Sequence, residues 1–269
     1  MNRNRGRKIK VATDKSDLSN LFNYAFCGTP ADFGNILANL ASLADDEIWS
    51  FDNTPNSVLK NYLLNTFRRC YKQTKVIVNE DGTASCFNTG LLTPNGHDIV
   101  ALFEKNRRQD AQPWVLKGFK DNSSREFMEV FRQTPSLATY TDDFEEYYYN
   151  PDLEIVINTD HILDDNWDRI NSKVHLDKTI VKALLTGALE EAKQRIKRNI
   201  RLVVPQFYKD KIMYLVPIKI PIAEGAYETM ALAVEKINEC QYSANTIFTK
   251  EMAYEKARLL MRPESNWLI

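Results

Sequence analysis

The pattern of apolar and polar positions predicts one long amphipathic, basic helix over Leu176–Leu202. Apolar side chains recur every three or four residues, as on the buried face of a helix, at Val181, Leu184, Leu185, Ala188, Ala192 and Ile196. Because each residue advances about 100° around the axis, Arg195 and Asn199 are predicted to fall inside this apolar stripe. The opposite, solvent-facing side carries Lys193, Lys197 and Arg201.

An inward-facing arginine needs hydrogen-bond partners, because an unpaired buried charge is very costly. Two interpretations of Arg195 are open. Glu191, one turn earlier, offers a structural ion pair. Alternatively, Arg195 binds a phosphate of a ligand and Asn199 contacts the ligand through its amide. Further downstream the chain supplies side chains that can bond a base or a sugar, namely Gln206, Tyr208 and Lys211.

The remaining periodicity predicts an α+β protein with a mostly antiparallel sheet packed with several helices. Helices are predicted at Leu18–Phe26, Phe33–Ala44, Val58–Cys70, Ile99–Arg107 and Lys250–Leu260. Strands are predicted at Lys75–Asn79, Thr83–Phe87, Trp114–Phe119, Leu153–Ile157, Lys211–Ile220, Met230–Ile237 and Cys240–Thr249. No clear linker divides the chain, so we expect a single domain over residues 16–269, preceded by a flexible basic arm over residues 1–15.

Composition and net charge indicate the general class of protein. The chain is 43% hydrophobic and 26% charged with a net charge of -1, which is typical of a globular protein and gives no global attraction to nucleic acid or membrane. Its apolar runs are too short to span a bilayer, and its N-terminus has no signal-peptide pattern. The four cysteines have no paired spacing. These features favour a reducing, cytoplasmic location without disulfides or a membrane partner.

Two short polar motifs are candidates for chemistry. Asn88-Thr89-Gly90 follows a predicted strand, and its backbone N–H groups and side chains suit a phosphate or a sugar hydroxyl, although they also suit an ordinary turn. His161 and Asp165 share a helix face at i,i+4, which suits acid–base chemistry, although a capped helix with solvated acids explains them equally. A single histidine supports no metal site, and the sequence identifies no cofactor.

A basic surface is a further candidate. The outer side of the long helix, together with the N-terminal arm, offers positive charge beside the aromatic residues Phe207, Tyr208 and Tyr214. Charge combined with stacking is how many proteins bind single-stranded nucleic acid. A solvated charged face explains the same pattern without any ligand.

Short segments spread over nearly the whole chain from Leu18 onward carry a family resemblance: Leu59–Leu63, Cys86–Leu91, Ile99–Asn106, Gln112–Trp114, Asn158 with His161, Arg195 with Arg198 and Asn199, Val204–Gln206, Met252–Tyr254, Ala257–Leu259 and Trp267–Leu268. In this order they resemble the family catalogued as domain of unknown function 3825. The resemblance implies one domain of this length, as found in bacterial and phage-type settings. Relatives sometimes carry cold-shock or other RNA-binding modules, and no such module is expected here.

We therefore expect an RNA- or nucleotide-binding domain that acts in RNA metabolism or in a phage–bacterial defence conflict. Its expected ligand residues are Asn88, Thr89, Gly90, Arg195, Arg198, Asn199, Gln206 and Tyr208. A second hypothesis is an enzyme that acts on nucleotides or RNA ends by phosphoryl transfer or hydrolysis, with His161 as the base and Mg²⁺. A third is a structural interaction protein, which predicts that Arg195 is paired with Glu191 or another acid and has no pocket beside it. An exposed apolar patch near Tyr147–Tyr149 would then indicate a protein partner.

Overall fold

Two five-stranded sheets, one in each half of the chain, organise the structure. The computed structural model describes residues 17–51 and 53–269, and the chain divides into two compact units, Met1–Ala138 and Thr139–Ile269. The predicted α+β class is confirmed, since each sheet is mixed but mostly antiparallel and is accompanied by helices. The single domain over residues 16–269 stays a prediction, and the basic arm over residues 1–15 lies outside the described residues.

The first unit pairs its sheet with two principal helices. Its elements are α1 (Leu21–Tyr24), β1 (Ala25–Phe26), α2 (Pro30–Leu43), α3 (Ser57–Lys72), β2 (Ile77–Val78), β3 (Ala84–Leu92), β4 (Asp98–Lys105), β5 (Trp114–Asp121) and α4 (Arg125–Met128). The sheet has the order β1-β5-β4-β3-β2. β1 runs parallel to β5, and the other neighbours are antiparallel.

One predicted helix of this unit is wrong. Ile99–Arg107 was expected to be helical, but residues 98–105 form β4 between β3 and β5. A continuous apolar run suits a helix and a strand buried on both faces equally well. Here Ile99, Val100 and Phe103 are almost completely buried, as a central strand requires. The hairpin predicted around Asp81-Gly82 is confirmed by the antiparallel pairing of β2 with β3.

The predicted Asn88–Gly90 motif forms a bulge in β3, where the register with β4 shifts. Asn88 Oδ1 accepts from the Gly90 amide at 2.9 Å, and Thr89 Oγ1 donates to the Ile99 carbonyl at 2.6 Å. Gly90 has φ +75, and a Cβ there would lie 2.6 Å from Tyr62 Oη. That hydroxyl donates to the Thr89 carbonyl at 2.8 Å. Gly90 therefore permits both the left-handed turn and the bond from α3.

Replacing Gly90 by alanine should be more destabilising than the same change at Gly96. Both glycines have positive φ, but a Cβ at Gly96 meets nothing within 4 Å, so Gly96→Ala should cost about 1 kcal/mol for the left-handed backbone alone. Gly90→Ala should cost at least about 1 kcal/mol more, because Tyr62 must move and its hydrogen bond is lost. Urea unfolding of the two variants measures the difference. Equal costs would contradict the role given to Tyr62.

The second unit also pairs a five-stranded sheet with helices. Its elements are β6 (Glu154–Ile157), α5 (Thr159–Val174), α6 (Lys178–Arg198), β7 (Val204–Tyr208), β8 (Lys211–Ala223), β9 (Ala226–Lys236), β10 (Gln241–Phe248) and α7 (Lys250–Arg258), with short 3₁₀ turns at Phe144–Tyr147 and Ile200–Leu202. The order is β6-β10-β9-β8-β7, and only the β6–β10 pair among these neighbours is parallel. The predicted strands of this half are confirmed.

The two faces of this second sheet are covered unequally. α5 and α6 cover one face, where Leu185 and Ala192 join the same core as Val216 and Ile218 of β8. Side chains alternate along a strand, so the intervening residues of β8 point to the opposite face. There the shorter helix α7 packs against β7, β9 and β10. We call this second side the α7 face.

Candidate functional site

The predicted inward orientation of Arg195 and Asn199 is wrong, since both residues are exposed. The apolar stripe itself is confirmed, but its centre is rotated away from Arg195. Leu189 is 4% exposed and belongs to the buried face, whereas Leu184 is only partly buried. α6 ends at Arg198, so helical spacing no longer places Asn199, which caps the helix with φ -150.

Arg195 forms the structural ion pair that the sequence left open. Its Nη2 lies 2.6 Å from Glu191 Oε1, and its Nε donates to the same oxygen at 2.8 Å. Arg195 also lines a surface pocket of about 430 Å³ together with Lys219 and Tyr227. Asn199 lines a different pocket of about 890 Å³. These two side chains thus do not share either pocket.

Among the other predicted ligand residues, Arg198 is exposed, whereas Asn88 and Thr89 are buried. Arg198 is exposed, and its Nη1 donates to the Gln194 carbonyl at 2.7 Å. In the first unit, Asn88 and Thr89 are 2% and 0% exposed, and Asn88 Nδ2 donates to the Pro135 carbonyl at 3.2 Å. Internal hydrogen bonds therefore occupy both side chains. Their assignment as ligand residues stays a prediction.

His161 lies in the first turn of α5, with a largely exposed side chain. Its Nε2 is 3.3 Å from Asp165 Oδ2, as the i,i+4 spacing predicts. It lines neither of the pockets described above nor the groove described next. Over residues 17–51 and 53–269, no group of three or more His, Cys, Asp or Glu side chains is arranged to hold a metal ion.

Two of the predicted ligand residues, Gln206 and Tyr208, line one groove of about 620 Å³ on the α7 face. We call it the Gln206 groove. Its buried floor is Gln206, Met213 and Ala233, its partly buried walls are Glu235, Thr246, Phe248, Met252 and Lys256, and its exposed rim is Tyr208, Lys209, Lys211 and Asn245. The groove lies between α7 and the end of the β7–β8 hairpin.

Strand alternation places these residues together. In the β7–β8 ladder, Gln206 is opposite Met213 and Tyr208 is opposite Lys211, so all four point to the α7 face. Lys209 and Asp210 make the two-residue connection, both with positive φ, as the tightest hairpin turns require. Lys209 Nζ then lies 5.3 Å from the centre of the Tyr208 ring. On α7, Met252 and Lys256 are one turn apart and line the opposite wall.

The buried amide of Gln206 is the unusual feature of this groove. The residue is 2% exposed, and its Oε1 has no hydrogen-bond partner among the described residues. An amide oxygen removed from water without a partner costs about 1–3 kcal/mol. Buried polar groups are almost always satisfied. A group that is left unsatisfied where it lines a groove is therefore a candidate for ligand contact.

The charge around the groove is positive. Three lysines, at positions 209, 211 and 256, line it with a single carboxylate, Glu235. Lys211 Nζ lies 2.6 Å from Glu235 Oε1, which neutralises one lysine. Asn245 Nδ2 also donates to Glu235, at 3.3 Å. The remaining positive charge suits an anionic ligand.

Sequence reasoning found Gln206, Tyr208 and Lys211 but missed the rest of the groove. Met252 and Lys256 are distant in the chain and reach the groove because α7 packs beside β7, whereas Phe248 reaches it as the last residue of β10. One signal was available: Met252 and Lys256 share a face of the predicted last helix. Lys209 follows Tyr208 directly, in a two-residue connection between predicted strands.

The fold and this groove define an α+β protein with a lysine-lined cleft above a buried amide. The chain belongs to the family described as domain of unknown function DUF3825, whose model matches residues 40–267. The resemblance expected from the sequence is thereby confirmed. Comparisons with curated proteins and with solved structures gave no significant match. No described helix is both long enough and apolar enough to cross a membrane.

Two buried amides should respond oppositely when each is replaced by leucine. Gln206→Leu removes an acceptor without a partner and should raise the free energy of unfolding by about 1 kcal/mol. Asn88→Leu is the matched control. It should lower the free energy of unfolding by about 2 kcal/mol, because the Pro135 carbonyl and the Gly90 amide lose their hydrogen-bond partner. Chemical denaturation of both variants tests the pair. A destabilised Gln206→Leu protein would show that the amide has a structural role instead.

Proposed function

We propose that this protein binds single-stranded RNA or nucleotides, and that it does so in the Gln206 groove. The observation that carries the proposal is the buried Gln206 side chain, whose Oε1 has no partner among the described residues, inside a groove lined by lysines. An amide reads the edge of a base, and lysines contact phosphate. The proposed partner is therefore RNA or a nucleotide, and the proposed setting is the cytoplasm. A role in RNA metabolism or in a defence conflict remains part of this proposal.

Aromatic side chains beside the amide support a ligand with a flat ring. Tyr208 is 46% exposed at the rim, and Phe248 contributes a partly buried wall. Stacking of a base on an exposed aromatic ring contributes about 1–3 kcal/mol. Arg169 holds its guanidinium 5.5 Å from the centre of the Phe248 ring. The groove thus combines stacking surface, positive charge and one polar floor group.

The enzyme hypothesis gains less support from the geometry. His161, its expected base, is exposed and pairs with Asp165, outside the Gln206 groove. Arg195, which the sequence suggests as a phosphate-binding residue, pairs with Glu191 beside a different pocket. We therefore favour binding over catalysis, and place the ligand at Gln206.

A protein-interaction role is the second candidate. Phe144 and Tyr148 are 70% and 60% exposed, with ring centres 5.3 Å apart, in the tract where the sequence predicted an exposed patch. Exposed paired aromatics are typical of a contact surface. A Phe144→Ser, Tyr148→Ser variant should then lose a partner or a self-association that wild type retains in light scattering; equal behaviour would count against this role.

Removing Lys256 should weaken RNA binding, whereas removing Lys197 should not. Fluorescence anisotropy with a labelled mixed-sequence RNA of about twelve nucleotides measures this across a range of salt. Lys256→Ala should lower the salt dependence of log K by about 0.7, the value for one phosphate contact on a single strand. Lys197 is exposed on α6 and lies outside the groove, so Lys197→Ala is the matched control.

Arg195→Ala distinguishes the two candidate locations in the same assay. With the ligand in the Gln206 groove, this variant should bind as wild type does. If Arg195→Ala or Lys197→Ala weakens binding while Lys256→Ala leaves it unchanged, the ligand lies at α6 and the proposed location is wrong. Absence of binding by the wild-type protein to RNA and to nucleotides would contradict the function itself.

A further inference from the structure

We infer that the Gln206 groove selects adenine over the other bases. This inference rests on the proposed function and goes beyond it by naming the base. Gln206 carries a buried acceptor, Oε1, that has no partner among the described residues. Its amide nitrogen is a donor on the same planar group. A ligand that satisfies the whole group must therefore present a donor and an acceptor side by side.

All four RNA bases have such an adjacent pair, but they differ in what lies next to it. On the Watson–Crick edge, uracil, cytosine and guanine each carry three polar groups in a row, whereas adenine carries two. The acceptor N1 of adenine is followed by C2–H, and the acceptor N7 on its other edge is followed by C8–H. Adenine therefore satisfies an amide through N6 and either ring nitrogen without a third polar group beside them. Glutamine bound to adenine N6 and N7 is a familiar base contact.

The apolar floor of the groove beside Gln206 favours a base edge that carries two polar groups over an edge that carries three. Met213, opposite Gln206 in the ladder, is 5% exposed, and Ala233 is 1% exposed; neither can accept or donate there. Thr246, on the wall, already donates its hydroxyl to Asn166 Oδ1 at 2.6 Å. A third polar group that lies against Met213 or Ala233 would lose its water without gaining a partner. Sites of this kind discriminate strongly against ligands that leave a polar group unpaired.

The size and orientation of the groove agree with a purine. Its volume of about 620 Å³ falls within the range of small-molecule sites. With the base edge at the Gln206 floor, the ribose and phosphate extend towards Lys209 at the rim and Lys256 on the wall. The amide would then select the base, and the lysines would bind any nucleotide.

Binding of labelled oligo(A), oligo(U) and oligo(C) RNA, each of about twelve nucleotides, tests the inference. Wild type should bind oligo(A) about tenfold more tightly than oligo(U) or oligo(C), as expected for one bidentate contact. AMP should compete for the site better than GMP or UMP. Gln206→Leu should remove this preference while retaining binding that depends on salt. Gln206→Glu, which replaces the amide donor by a carboxylate oxygen, should weaken oligo(A) binding more than oligo(U) binding.

The outcomes separate the inference from the proposed function. Equal binding of the three RNAs by wild type would overturn adenine selection and leave the proposed function standing. A preference that survives in Gln206→Leu would also overturn it, because the amide would not be the selecting group. Failure of wild type to bind any of these RNAs or nucleotides would overturn the proposed function, and the inference with it.

Discussion

The unequal cover of the second sheet is the constraint on which the candidate site depends. α5 and α6 bury one face in a continuous apolar core, but α7 has only the nine residues from Lys250 to Arg258 and covers part of the other face. The strands of a sheet that is covered on both faces carry mostly apolar side chains on both faces. β7 is an exception to this rule, because it carries the polar residue Gln206 beside α7. The groove lies beside this helix, which supplies Met252 and Lys256 to its wall.

Gln206 and Asn88 are two buried amides that differ in their hydrogen bonds. An unpartnered buried acceptor lowers the stability of the folded protein, and stabilising replacements are generally available to a sequence at such positions. By contrast, the buried amide of Asn88 holds the Pro135 carbonyl and the Gly90 amide, and its burial has a structural reason. The two amides are equally buried. Their hydrogen bonds distinguish a residue that maintains the fold from the one that we propose contacts a ligand.

Much of the fold could be predicted from local periodicity, but the site could not. The apolar stripe of the long helix and the alternation of β8 to β10 are strong local signals, and the structure confirms them. The Ile99 strand was mistaken for a helix because burial on both faces erases alternation. Arg195 was misplaced because the centre of the buried stripe depends on Leu189, which the sequence pattern did not include.

The candidate site is harder to predict because it depends on tertiary packing. Gln206 and Tyr208 were identified as potential ligand residues from their chemistry alone, without knowledge of their orientation. Their common face follows from strand alternation once β7 is known. Lys256 completes the groove through the packing of α7 and Phe248 through the position of β10 in the sheet, and no local pattern encodes that arrangement. The missing partner of Gln206 can be recognised only in three dimensions.

Photo-crosslinking tests the central claim, that the Gln206 groove is the ligand site, most directly. A single-stranded RNA carrying 8-azidoadenosine would be irradiated with the full-length protein, and the modified peptides would be mapped by mass spectrometry. We expect adducts on the groove residues Tyr208, Phe248 or Met252, and we expect competing AMP to abolish them. Adducts confined to α6 around Arg195, or adducts that AMP does not displace, would contradict it.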